Sequence, residues 1–113
     1  MPYLNFKTTL KLSAEQKREL SADIMDAVKY LPGKPAVRAM IHIEDSCEIY
    51  RDGQLAECAF MQTIFQRPID LEDQKRFVEA LYALFKDKLG LDTPQVYFAM
   101  VDLDTWGSRG TLH

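Results

Sequence analysis

A β-α-β pattern that appears twice, with a period of about 57 residues, constrains this chain more than any other feature. The first copy runs from a strand through Leu12-Ser13-Ala14-Glu15-Gln16-Lys17-Arg18 into a helix. The second runs from a strand through Ile69-Asp70-Leu71-Glu72-Asp73-Gln74-Lys75-Arg76 into another. Ser13 and Asp70 suit the N-cap, because a short side-chain oxygen can accept from an otherwise unpaired first-turn N–H, and Ser13 with Gln16 fits a capping box. Leu20, Ile24, Ala27, Val28 and Leu31 form one helical stripe, and Phe77, Leu81, Leu84, Phe85 and Leu89 form the other. Gly33 and Gly90 mark the helix ends, with Pro35 and Pro94 beyond them.

Four strands are legible. Tyr3 to Thr9 sets Leu4 and Phe6 against Asn5 and Lys7, and Val37 to Ile43 sets Val37, Ala39, Ile41 and Ile43 against Arg38, Met40 and His42. Cys58 to Phe65 and Val96 to Val101 are apolar almost throughout, the pattern of strands covered on both faces. Two helices can cover only one face of a four-stranded sheet, so the other face is expected to meet something else, most simply identical subunits. Asp52-Gly53 is a turn signal between the halves. The expected fold is α+β: two β-α-β repeats form a four-stranded mixed sheet with two helices on one face. A single domain spans 1–113, its halves roughly 2–57 and 58–113.

Composition narrows the function classes. A hydrophobic fraction of 47% is that of a folded chain, and a core of this size favours association. A net charge of -3 leaves no basic footprint for nucleic acid. No apolar run approaches the roughly 18 residues that span a bilayer. The N-terminus lacks the basic and apolar regions of a signal peptide. Cys47 and Cys58 do not make a disulfide framework. These features predict a soluble cytoplasmic protein with no membrane partner.

Pro2 is the residue with the most chemical potential. Initiator methionine is normally removed when the second residue is small, and the chain would then begin with the only secondary amine a gene can encode. Burial or nearby cations disfavour the charged form of an amine. A neutral amine is a usable general base. Other chemistries find no support. The two histidines, His42 and His113, have no metal-ligand spacing, and there is no phosphate loop and no serine-nucleophile motif. His42 reads as a hydrogen-bonded structural residue, and Asp102-Leu103-Asp104 as a strand end.

Pro2, the doubled unit and the length together resemble the tautomerase superfamily, and within it the macrophage migration inhibitory factor group. Gly33-Lys34-Pro35, Ile41-His42-Ile43, Val96-Tyr97-Phe98 with Asp102, and Trp106-Gly107 carry the likeness. Val37-Arg38-Ala39-Met40-Ile41 is similar to the strand of 4-oxalocrotonate tautomerase that carries a carboxylate-binding arginine. Asp52-Gly53-Gln54 with Ala59-Phe60 is similar to 5-carboxymethyl-2-hydroxymuconate isomerase. The group's redox Cys-x-x-Cys is absent, since Met61 follows Cys58 at that spacing, and Ala99 stands where the cytokine has asparagine.

The resemblance implies a cofactor-free keto–enol tautomerase acting on 2-keto acids such as phenylpyruvate, active as a homotrimer whose neighbouring subunits complete each pocket. It implies Pro2 as base and then acid. Lys34 would be a pocket cation, and the backbone N–H near Ile64 and the Tyr97 hydroxyl would be donors. Trp106 would be part of an aromatic wall. Tyr3 lies beside the base and could shape its surroundings. Arg38, in an apolar strand, must pair, reach a rim or bind an anion, and its fork suits a carboxylate or an inter-subunit ion pair equally. Two cations also suit a dicarboxylate, so a hydroxymuconate-type isomerase is an alternative. A non-catalytic trimeric binding protein of the same fold is another.

Overall fold

The computed structural model describes residues 2–33 and 39–113. Among them β1 (Tyr3–Thr8), α1 (Ala14–Ala27) and β2 (Met40–Glu44) form one unit, and β5 (Ala59–Gln66), α2 (Leu71–Leu89) and β6 (Val96–Leu103) form the other. A hairpin of β3 (Tyr50–Arg51) and β4 (Gln54–Leu55) lies between them, and a hairpin of β7 (Gly107–Ser108) and β8 (Thr111–Leu112) closes the chain. The main sheet has the order β2-β1-β5-β6. β1 pairs with β2 in parallel, β5 with β6 in parallel, and β1 with β5 antiparallel. This is the expected mixed sheet. The terminal hairpin had no counterpart in the sequence reading.

Strand alternation divides the sheet into two unlike faces. Leu4, Phe6 and Thr8 of β1 and Ala59, Met61, Thr63 and Phe65 of β5 are buried on the helix side. They pack with Leu20 and Ile24 of α1 and with Phe77, Leu81 and Phe85 of α2. The Phe6 and Phe85 rings are 4.7 Å apart, and Phe85 stacks on Phe98 at 6.0 Å. Every residue of the first helical stripe is buried, whereas Leu84 and Leu89 of the second pack only at its margin. On the opposite face Met40, Phe60, Tyr97 and Leu103 stay 64%, 42%, 54% and 36% exposed among the described residues.

Local chemistry fixes the helix ends. Ser13 and Gln16 form the capping box, with Gln16 N donating to Ser13 Oγ at 3.0 Å and Ser13 N donating to Gln16 Oε1 at 2.8 Å. Asp70 occupies the other N-cap in extended backbone, but its side chain makes no capping bond, so the expected cap holds in position only. Gln74 of the first turn instead donates from Nε2 to the Ile69 carbonyl at 2.8 Å, which ties the helix start to the preceding loop without capping an N–H. Gly90, at φ 68°, ends α2 in the left-handed conformation that a side chain disfavours.

A polar knot ties the far end of β2 to the entry of α1. Asp45 accepts from Leu12 N at 2.9 Å and pairs with Lys17 Nζ at 3.1 Å, and Ser46 N donates to the Leu10 carbonyl at 2.8 Å. The Leu12 amide first, and then Lys17, holds the Asp45 carboxyl down at about 2. A carboxylate lowered in the folded state contributes fully above its ordinary value of 3.8 and loses that contribution as pH falls toward the folded value. Asp45→Asn should therefore lower Tm at pH 7, and its gap to wild type should close between about pH 4 and pH 2. Thermal melts across that range check this, and a pH-independent gap would contradict it. Phe85→Ala, which removes the ring shared by Phe6 and Phe98, should cost about 3–5 kcal/mol in urea unfolding.

Candidate active site

Pro2 stands just outside the first ladder pair of β1. It is buried, and its carbonyl accepts from Met40 N at 3.0 Å. The next residue, Tyr3, lies opposite Met40 on one side and Ile64 on the other. The start of the chain is therefore held between β2 and β5, at one end of the uncovered face. Tyr3 presents its hydroxyl on that face, 3.1 Å from Nδ1 of His42, so His42 is hydrogen-bonded as expected.

Ile64 lies in the ladder between Tyr3 and Val101, so the central strands set its place beside Pro2. The chain segment carrying Trp106 comes to the same end of the sheet. Trp106 and His113 exchange backbone bonds of 2.7 and 2.9 Å. Gln66, two positions beyond Ile64, donates from Nε2 to the His113 carbonyl at 2.7 Å and to the Asp104 carbonyl at 3.2 Å. Asp102-Leu103-Asp104 is the strand end it was expected to be, with Arg67 bridging both carboxylates at 3.4 and 3.2 Å. Sequence reasoning passed over Gln66, because its two acceptors lie far along the chain and leave no local signal.

Tyr97 does not join this group within one chain. It pairs with Phe60, four positions from the Ile64–Val101 pair, a separation of about 13 Å along the strand. Its neighbour is the guanidinium of Arg51, 5.7 Å from the ring centroid. Lys34 and Arg38, the two expected carboxylate binders, lie outside the described residues.

Other groups contribute little chemistry. Burial and the neighbouring Glu44 carboxylate push the Cys47 thiol up, which keeps it protonated, and Cys58 is buried. No cluster among the described residues could hold a metal ion. Two surface depressions of about 620 and 480 Å³ lie on the helices, one along α1 at Arg18 and Met25 and one between α2 and Met100. Neither includes Pro2.

The macrophage migration inhibitory factor family model matches residues 1–112, and the chain belongs to that family. Solved structures agree on the fold. MIF2 of Leishmania major superposes with a TM-score of 0.88 at 20% identity, covering 100% of this chain and 97% of that one. A fused 4-OT described as an asymmetric trimer gives 0.85 at 16% identity, covering 96% and 94%. Pt0534 inactivated by 2-oxo-3-pentynoate gives 0.76 at 24% identity, covering 89% and 85%. A search of curated proteins found no match.

Gln66 anchors the closing segment through two carbonyls. Gln66→Ala should speed amide hydrogen exchange at Trp106 and His113 while leaving the β1–β5 ladder protected. Exchange measured by NMR checks this, and unchanged protection at both amides would contradict it.

Proposed function

We propose that this protein is a cofactor-independent keto–enol tautomerase acting on 2-keto acids such as phenylpyruvate, with the amine of Pro2 as general base and acid after removal of Met1. The observation that carries the reading is the position of Pro2. In a chain of this family it is buried, fixed through its carbonyl, and seated at one end of the sheet next to the Tyr3–Ile64 pair. Burial favours the neutral form of an amine, the form that accepts a proton.

In this reading the neutral amine removes a proton from C3 of the keto acid, and electron density moves onto the carbonyl oxygen. A backbone N–H near Ile64 or the Tyr97 hydroxyl stabilises that charge, an interaction that strengthens where water is excluded. Lys34 or Arg38 holds the substrate carboxylate, and Trp106 supplies a wall. The protonated amine then returns its proton to the enolate oxygen.

The assembly that supports this is a homotrimer. A ring of identical chains is built from contacts between unlike patches, so the Tyr97 end of one sheet can meet the Pro2 end of the next. The exposed Met40, Phe60, Tyr97 and Leu103 supply the apolar surface that such contacts bury. Two solved relatives support the pairing of chemistry and assembly: one is described as a trimer, and one was inactivated by an acetylenic 2-keto acid.

The test is the ultraviolet rate of phenylpyruvate ketonisation, with intact mass establishing loss of Met1. Pro2→Ala should lower the rate about a hundredfold or more, the range that a positioned acid–base group supplies. Activity should also fall as dilution separates the subunits. Equal rates in wild type and variant, or full activity in a monomer, would overturn the proposal. A retained Met1 on protein from its native host would favour the non-catalytic binding protein.

A further inference from the structure

A base at the start of a chain is hard to hold still. Terminal residues fray unless they are tied down, and an amine that is to accept a proton cannot itself be the anchor. The Pro2 carbonyl is the anchor here, accepting from Met40 N at 3.0 Å. Tyr3 then opens the ladder, opposite Met40 on β2 and Ile64 on β5. The first pair of a ladder has a neighbour on one side only, so it opens most readily. A second tether spans the same two strands. The Tyr3 hydroxyl lies 3.1 Å from Nδ1 of His42, two residues beyond Met40 on β2. Two consecutive residues, Pro2 and Tyr3, are thus tied to β2 through Met40 and His42, one by backbone and one by side chain. Among the described residues each of these side chains is the other's only hydrogen-bond partner. The first charged groups along that face are Lys7 and Glu44, the pair after Asn5 and His42. On β5 and β6 the same face carries Phe60, Gln62, Ile64 and Gln66, and Tyr97, Ala99, Val101 and Leu103, without a charge.

We propose that Tyr3 and His42 are positioning residues for the Pro2 amine: their hydrogen bond clamps the peptide plane between Pro2 and Tyr3 to β2, and so holds the amine where it takes the C3 proton. This rests on the tautomerase reading above. The proline ring hangs from that plane by a single bond, so the plane sets where the nitrogen lies. A reacting group that drifts from its productive position lowers the rate of the chemical step. It need not weaken substrate binding, so the cost falls on kcat and not on KM. Neither side chain has to touch the substrate. The Tyr3 hydroxyl is bound to a residue that pairs with Asn5, one same-face step further from Pro2, and the pair acts through the backbone. The phenol and imidazole do here what a preceding stretch of chain would do for an internal residue.

Variants of the full chain beginning at Pro2 test this. Tyr3→Phe keeps the ring and removes the hydroxyl, His42→Leu removes its partner, and the double variant removes both. Amide hydrogen exchange by NMR reads the clamp without turnover. Exchange at Met40, whose N–H is bonded to the Pro2 carbonyl, should quicken about threefold to tenfold in each single variant, the range of one neutral hydrogen bond. In phenylpyruvate ketonisation kcat should fall by about the same factor while KM stays at its wild-type value. The double variant should be no worse than either single one, because all three lose the same interaction. His42→Gln, whose amide can still meet the hydroxyl, should recover most of kcat. The proposal is overturned if Tyr3→Phe keeps the wild-type Met40 exchange or the wild-type kcat, or if the two losses add. It is also overturned if KM rises while kcat holds, which would make Tyr3 a substrate contact. Failure of the tautomerase reading is separately visible. Undiminished ketonisation by Pro2→Ala removes the chemistry and with it the purpose of the clamp, while quickened Met40 exchange in Tyr3→Phe still shows the clamp itself. Unchanged exchange there removes the clamp and leaves the chemistry of Pro2 standing.

Discussion

The antiparallel ladder between β1 and β5 joins the two β-α-β units, and the rest of the structure hangs from it. Six residue pairs, from Tyr3–Ile64 to Thr8–Ala59, set the register. A one-residue slip would turn Leu4 and Phe6 out of the core and bring Asn5 and Lys7 in, which the helices could not accommodate. The same register puts Pro2 at one end of the sheet, next to the Tyr3–Ile64 pair. Fold and candidate site therefore depend on one alignment.

One face of that sheet is satisfied within the chain and the other is not. Phe6, Phe77 and Phe85 are fully buried on the helix side. The opposite side mixes exposed apolar residues with hydrogen-bonding groups, the Tyr3–His42 pair and the Asn5 side chain, whose Oδ1 is buried without a partner. A buried unpaired oxygen is costly enough that it normally finds a partner. The mixture is what a surface shared with further copies needs: apolar groups to drive association, and polar groups to fix its geometry.

The fold was legible in the sequence because its signals are local and periodic. Ser13 with Gln16, the stripe from Leu20 to Leu31, and the turn at Asp52-Gly53 each act within a few residues, and each is present. Asp70 shows the limit of that logic, since the residue type suited the cap but the bond went elsewhere. The site was legible only in part. Pro2 and Ile64 are brought together by ladder register, which hydrophobic alternation encodes. The stack of Arg51 on Tyr97 joins residues far apart in the chain through tertiary packing, and no spacing rule marks it. Gln66 anchoring the Trp106 segment is of the same kind.

The separation of Tyr97 from Pro2 bears on how such a site can change. Residues that share one strand end are coupled through the ladder, so altering one disturbs the register that holds the others. In the proposed assembly, residues brought by a different chain are coupled only through the interface between subunits. In the proposed assembly the Pro2 end can then stay fixed while the Tyr97 end varies, because the two lie at opposite ends of the sheet. Arg51 illustrates this freedom. It stands in a short hairpin outside the main sheet, where a substitution leaves the β1–β5 register and the aromatic core untouched. The hairpin is therefore a place where the sequence can change at little cost to the fold.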